Sequence, residues 1–164
     1  MKEIEVKPVQ TRREKRLFLT FPWRIYKGDL LWVPPLLPER AKVIDPARGL
    51  FFKNGYAEFF IAWRGRVPVG TICCAEDLAA TRGRGHGECM IGFFECVEDY
   101  AVAEALLDQA EDWARAHGLT GEVGVKPFEA IAAGHKEVGV LGRDTIDMYL
   151  DWARTTLYKV ERGE

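Results

Sequence analysis

Along KEIEVKPV, apolar Ile4, Val6 and Val9 alternate with charged positions, the two-residue period of a half-buried strand that Pro8 keeps short. Thr11 then stands as N-cap ahead of a helix over Arg12–Phe18, crowded with bases in its first turns and ending near Phe21-Pro22. FPWRIYKGDLLWVPPLLPERAKVIDPARGLFF keeps neither period. It carries Trp23, Tyr26, Trp32 and four prolines after Pro22, so its order must come from packing of the aromatic rings.

From Tyr56 the pattern sharpens. YAEFFIAW and VGTICCAED flank the turn RGRVP and predict an antiparallel hairpin that reverses near Arg64–Pro68. LAATRGRGHGEC is small, Gly-rich and basic, and predicts a mobile loop. ECMIGFFEC is a nearly unbroken apolar run, as expected of a central strand covered on both faces. Asp99 then caps a long helix in which Val102, Leu106, Ala110 and Trp113 recur at helical spacing until Gly118 stops it. Further on, GEVGVKP predicts a short strand and EAIAAGHKE a short helix. Residues 145–158 fit a strand through Ile146, Met148, Leu150 and Trp152, or a helix through Ile146, Leu150, Ala153 and Leu157, with the strand preferred. The whole predicts one α/β domain over residues 1–164, with a mixed, largely antiparallel central sheet flanked by helices.

Composition narrows the partners. A content of 48% hydrophobic residues with five Trp and nine Phe supplies a sizeable core. Lys plus Arg total 23 against 25 acids, a formal charge of −2, so no global field favours nucleic acid or an anionic membrane. Apolar runs such as Phe59–Trp63 and Val69–Ala75 fall far short of the roughly 20 residues of a spanning helix. MKEIEVKPVQTRREKR has no apolar signal core, which gives a cytoplasmic expectation.

The four cysteines agree with that address. Cys73, Cys74, Cys89 and Cys96 lie in apolar strand-like runs without CxxC spacing, and predict buried free thiols rather than disulfides. His86-Gly-Glu-Cys89 with Cys73 or Cys74 lacks a second ligand pair at zinc-finger spacing, so no metal is expected. Gly83–Gly87 lacks the Lys-Ser/Thr of a phosphate loop. Arg82, Arg84 and His86 could meet an anion, although solvated loop charges are the commoner outcome.

The order of elements resembles the GNAT superfamily of N-acetyltransferases. The hairpin, fourth strand and long helix of residues 56 to 119 carry that likeness, as does EVGVKPFEAIAAGHKEVGVLGRDTIDMYL within residues 121 to 150. FPWRIYKGDLLWVPPLLPERAKVIDP with GFFEC is similar to a bacterial group of GNAT-like proteins, usually longer. The resemblance implies acetyl-coenzyme A or another acyl-coenzyme A as co-substrate and a small-molecule amine or peptide as acceptor.

It also implies a seat for the coenzyme pyrophosphate at the turn into the long helix, here around Phe94, Cys96, Val97 and Tyr100. The family places glycines and a Gln or Arg there. This chain reads Cys96-Val97-Glu98-Asp99-Tyr100-Ala101, with no glycine and no base. Glu98 and Asp99 would repel a diphosphate, whereas at an empty helix N-terminus each contributes about 0.3–1 kcal/mol.

For the chemistry, the resemblance implies Glu95 as general base, with a pKa raised by burial, the alternative being a carboxylate paired with an Arg. It aligns His135 or its neighbour Gly134 with the family's acid, His135 alternatively being an exposed helix-end histidine. Arg82, Arg84 or Lys126 could replace the missing phosphate contacts. Trp23, Tyr26, Trp32 and Phe51-Phe52 could line an acceptor pocket, or pack as a lid or homodimer surface, and packing is preferred. Two expectations follow: an acyl-coenzyme A-dependent N-acyltransferase, or a GNAT-fold binding or self-association protein without transferase activity.

Overall fold

The computed structural model describes residues 3–84 and 87–119. In chain order these form β1 (Ile4–Pro8), α1 (Arg12–Thr20), α2 (Pro22–Ile25), α3 (Leu37–Val43), a 3₁₀ turn (Leu50–Lys53), β2 (Gly55–Arg64), β3 (Val67–Asp77), α4 (Leu78–Arg84), β4 (Met90–Cys96) and α5 (Tyr100–Ala116). The strands make one sheet in the order β1-β2-β3-β4, with every neighbouring pair antiparallel. This is the mixed α/β class that the alternation of periods predicts.

Local chemistry sets the ends of the elements. At α1 the Glu14 N–H donates to the Thr11 hydroxyl at 3.1 Å while the Thr11 N–H donates to the Glu14 carboxylate at 2.8 Å, a reciprocal capping box. The helix ends at Thr20 with Phe21 as its C-cap, at the expected Phe21-Pro22 boundary, burying Phe18 and Leu19 before Pro22 opens α2. Gly65, at φ +64°, turns β2 into β3, and Gly118, at φ +67°, ends the last helix.

The core has two halves, one on each face of the sheet. Side chains of β3 alternate between them: Ile72 and Cys74 pack under α5 with Val102, Leu106, Ala110 and Trp113, whereas Cys73 and Ala75 pack with Phe18, Ile44 and Phe51 on the α1 face. Burying each of the larger aliphatic groups contributes about 1.5–3 kcal/mol. α5 lies so close to β3 that a Cβ on Gly70 would sit 2.8 Å from Leu106 Cδ1 and 3.1 Å from the Glu95 carbonyl. Gly70 therefore fixes the seating of α5, and with it the end of β4.

Several expectations change. Residues 78–84 are helical rather than a mobile loop, because the Asp77 carboxylate accepts the Ala79 N–H at 2.9 Å and starts a turn that Ala-Ala-Thr-Arg continues. β4 starts at Met90 and its first four residues are buried, as the apolar run implies; among the described residues it is the last strand in the order. The aromatic stretch contains α2, α3 and the 3₁₀ turn, yet Leu30, Leu31 and Val33 are 98%, 90% and 83% exposed. The strand expected at GEVGVKP, the helix at EAIAAGHKE and the strand-or-helix segment 145–158 lie outside the described residues.

Cys73, Cys74 and Cys89 are buried and Cys96 half-buried, all as free thiols. Among the described residues no group of three His, Cys, Asp or Glu side chains could hold a metal ion, and no helix is long and apolar enough to cross a membrane.

Candidate functional site

The site begins with an irregularity in β4. Glu95 pairs with Thr71 and Gly92 with Cys73, so Phe93 and Phe94 together oppose the single residue Ile72. Phe93 adopts φ +49°, a conformation that costs a bulky residue about 1–3 kcal/mol. The Thr71 hydroxyl offsets that strain by donating to the Phe93 carbonyl at 2.8 Å in a buried position. The Phe93 ring packs on Phe18, with centroids 5.5 Å apart, and the Arg40 guanidinium lies 4.6 Å over it.

This bulge decides which way Glu95 faces. In an unbroken strand Ile91, Phe93 and Glu95 would share a face, and Ile91 packs under α5. The extra residue moves Phe93 into the α1-side cluster and turns Glu95 to the same side, leaving Phe94 and Cys96 against α5.

There Glu95 meets a residue 69 positions away. The Tyr26 hydroxyl donates to Glu95 Oε2 at 2.8 Å. Burial, and then this bond to the carboxylate, push the Tyr26 phenol well above its ordinary range, so at neutral pH it keeps its proton and acts as donor. The Tyr26 ring stacks on Trp32 at 5.2 Å, and Trp32 meets Trp23 edge-on at 5.2 Å. Two tryptophan rings, Trp32 directly and Trp23 behind it, thus hold the phenol that orients the carboxylate. Next in the chain, the Cys96 thiol is pushed up to about 11 by burial and then by the negative charges of Glu95 and Asp99.

The start of α5 is filled from within the chain. Asp99 accepts the Ala101 N–H at 3.0 Å, and Arg64 Nη2 lies 2.5 Å from its other oxygen, which together hold the Asp99 carboxyl below its usual range, the Arg64 bond acting most strongly. The Val97 N–H donates to the Val69 carbonyl at 2.9 Å and the Asp99 N–H to the Val97 carbonyl at 2.6 Å. These donors already have acceptors, and a carboxylate stands where a phosphate would. The residues of this turn therefore do not fit the diphosphate seat that the resemblance implies.

The other expected positions divide as follows. Phe94, Cys96 and Val97 are half-buried and pack against the α5 cluster, while Tyr100 opens α5 with its side chain exposed. Arg82 is exposed on α4. His135, Lys126, His86 and the Arg84 side chain lie outside the described residues. Reasoning from sequence missed two partners, Tyr26 as the group on Glu95 and Arg64 as the group on Asp99. Their separations of 69 and 35 residues leave no local signal in the sequence.

No family model matches the chain. A bacterial ceramide synthase of Caulobacter vibrioides is 36% identical over 153 residues, covering 90% of this chain and 38% of that protein. Protein YghO of Escherichia coli is 24% identical over 115 residues, covering 70% of this chain and 29% of that one. The chain thus spans well under half the length of the curated relatives it matches. Among solved structures, FeeM, an N-acyl amino acid synthase from uncultured soil microbes, superposes with a TM-score of 0.49 at 16% identity, over 73% of this chain and 69% of that one. A Pyrococcus furiosus protein assigned to acetyl transfer also scores 0.49, at 19% identity, over 85% of this chain and 97% of that one.

Proposed function

We propose that this chain carries the acyl-transfer site of an N-acyltransferase that joins an acyl group, delivered as a coenzyme A thioester, to the amino group of a long-chain amine. The observation that carries this assignment is the β4 bulge, which turns Glu95 out of the α5 core and sets it on the Tyr26 hydroxyl at 2.8 Å. Bulges of this kind re-aim side chains next to active sites. Similarity to a bacterial ceramide synthase over 90% of the chain supports an amide-forming reaction and a lipid-like amine.

In the reaction the amine nitrogen attacks the thioester carbonyl, a C–N bond forms and the C–S bond breaks. Glu95 takes the proton the amine loses, and Tyr26 positions the carboxylate. The leaving sulfur departs as a thiol, with His135 assigned as its proton donor. The diphosphate of the donor is not assigned to the start of α5, where Asp99 and Arg64 already form an ion pair.

The test is mass spectrometry of the amide formed when the chain is incubated with sphinganine and either acetyl- or palmitoyl-coenzyme A. Amide in the palmitoyl reaction supports the assignment. Absence of amide with both donors, from a folded chain, overturns it.

A second reading, a GNAT-fold protein that binds or self-associates without transfer, is favoured by one observation: the Asp99 carboxylate occupies the α5 N-terminus. Sedimentation equilibrium of a chain inactive in the amide assay separates the two, since self-association without turnover selects the second.

A further inference from the structure

The overall charge of −2 hides a strong local asymmetry. A cleft of about 780 Å³ between α1, α2 and the β2–β3 turn is lined by Lys7, Arg13, Arg16, Arg24 and Arg66. Its one acid, Glu14, is occupied in capping α1. Lys7 pairs with Glu5. Arg13, Arg16, Arg24 and Arg66 are exposed, and among the described residues none of them forms an ion pair with a carboxylate.

An apolar projection is joined to this cleft through α2. Arg24 lines the cleft, and its neighbour Trp23 meets Trp32 at 5.2 Å, which ties the loop bearing Leu30, Leu31 and Val33 to the basic wall. Those three side chains and Leu36 are the most exposed large apolar groups of the described residues, Leu36 at 73%. A soluble surface rarely presents four such groups within seven positions. The loop is held at its base by the aromatic stack, so the leucines point outward from an ordered support.

We propose that this face binds the surface of an anionic lipid bilayer, with Leu30, Leu31 and Val33 entering the interfacial region and Arg13, Arg16, Arg24 and Arg66 meeting the lipid phosphates. Charge complementarity selects this occupant. Apolar side chains beside a cluster of arginines match a surface that is negative at its headgroups and apolar just beneath. A second copy of this chain, itself net acidic but presenting the same basic face, would set arginine against arginine about a two-fold axis. A long-chain amine would be met at such a surface, yet the docking does not depend on acyl transfer, and its test contains no thioester.

The experiment is flotation of the full chain with vesicles of phosphatidylcholine alone and of phosphatidylcholine with 30% phosphatidylglycerol, at 0.1 M and 0.5 M salt. Binding to the anionic vesicles at least tenfold above the neutral ones, reduced at 0.5 M salt, is expected. The double variant L30E/L31E should lower it at least tenfold, with an unchanged melting temperature because both side chains lie in solvent. The variant R13Q/R16Q should lower it by about fivefold per arginine. Equal binding to both vesicle types, no binding, or full binding by L30E/L31E overturns the proposal. So does displacement by 10 mM inorganic phosphate at matched ionic strength, which would make the cleft a site for free anions, or a loss of dimerisation in L30E/L31E without any vesicle effect, which would make the face self-associating.

Discussion

The Thr71 hydroxyl donates to the Phe93 carbonyl at 2.8 Å, bridging the point where β4 carries one residue more than β3. A strained phenylalanine backbone, a buried threonine and a glycine seat for α5 converge within a few residues of Glu95. The orientation of that carboxylate is therefore a property of the sheet rather than of a loop.

Thr71→Val keeps the shape of the side chain and removes its hydroxyl, leaving the buried Phe93 carbonyl short of a donor. A loss of about 1–3 kcal/mol in urea unfolding is expected. Thr71→Ser, which retains the donor, should lose less; equal losses would show that the hydroxyl does not hold the bulge.

Gly70→Val would drive a branched side chain into Leu106 Cδ1 and the Glu95 carbonyl. The expected cost is about 1–3 kcal/mol, together with weakened acyl transfer as α5 lifts from β3. Thermal unfolding and the amide assay read the two effects, and a variant as stable as the parent would contradict the close seating.

Asp99 makes stability depend on pH in a defined direction. Its carboxyl titrates lower in the folded chain than the unfolded value of about 3.9, so its contribution is complete above that value and is lost as pH falls through the folded one. Asp99→Ala should cost about 0.5–2 kcal/mol at pH 7 through the lost cap, and the gap from wild type should narrow as pH falls below the unfolded value. The ion pair with Arg64, about one-third exposed, adds at most about 1 kcal/mol. A gap independent of pH in urea titrations would contradict the assignment.

Cys96 reports on its neighbour. With its thiol pushed up to about 11, first by burial and then by Glu95 and Asp99, roughly one thiol in a thousand is ionised at pH 8. Glu95→Gln removes one of those charges and should speed iodoacetamide labelling of Cys96, followed by peptide mass spectrometry. An unchanged rate would mean that the carboxylate does not act on this thiol.

Much of this architecture was legible because it is periodic. The β2–β3 hairpin, the Thr11 and Asp99 caps and the Val102–Leu106–Ala110–Trp113 stripe each follow from spacing and cap chemistry. α4 was hidden because Gly83 and the basic residues around it suggest a loop, while its start depends on a single carboxylate, Asp77. The bulge was hidden for a different reason: GFFEC reads as a regular strand, and a phenylalanine gives no sign of a positive φ. Glu95 could be picked out as a candidate only through the resemblance of its strand end to a known superfamily, and its partner could not be picked out at all. The fold alone brings Tyr26 to it, through an aromatic stretch without period.

Tyr26→Phe keeps the ring on Trp32 and removes only the hydrogen bond to Glu95. Since a bond to a charged group contributes about 1.5–3 kcal/mol, amide formation should slow by about 10- to 100-fold with the stack intact by tryptophan fluorescence. A rise in KM with kcat unchanged would instead place Tyr26 in substrate binding.

The most direct measurement compares the rate of amide formation from palmitoyl-coenzyme A and sphinganine by the wild-type chain and by Glu95→Gln, at matched thermal stability. A general base contributes about 10²- to 10⁴-fold, and a loss in that range is expected with the sheet unchanged. Retention of the full wild-type rate by Glu95→Gln would contradict the assignment of Glu95 as the base presented by the β4 bulge.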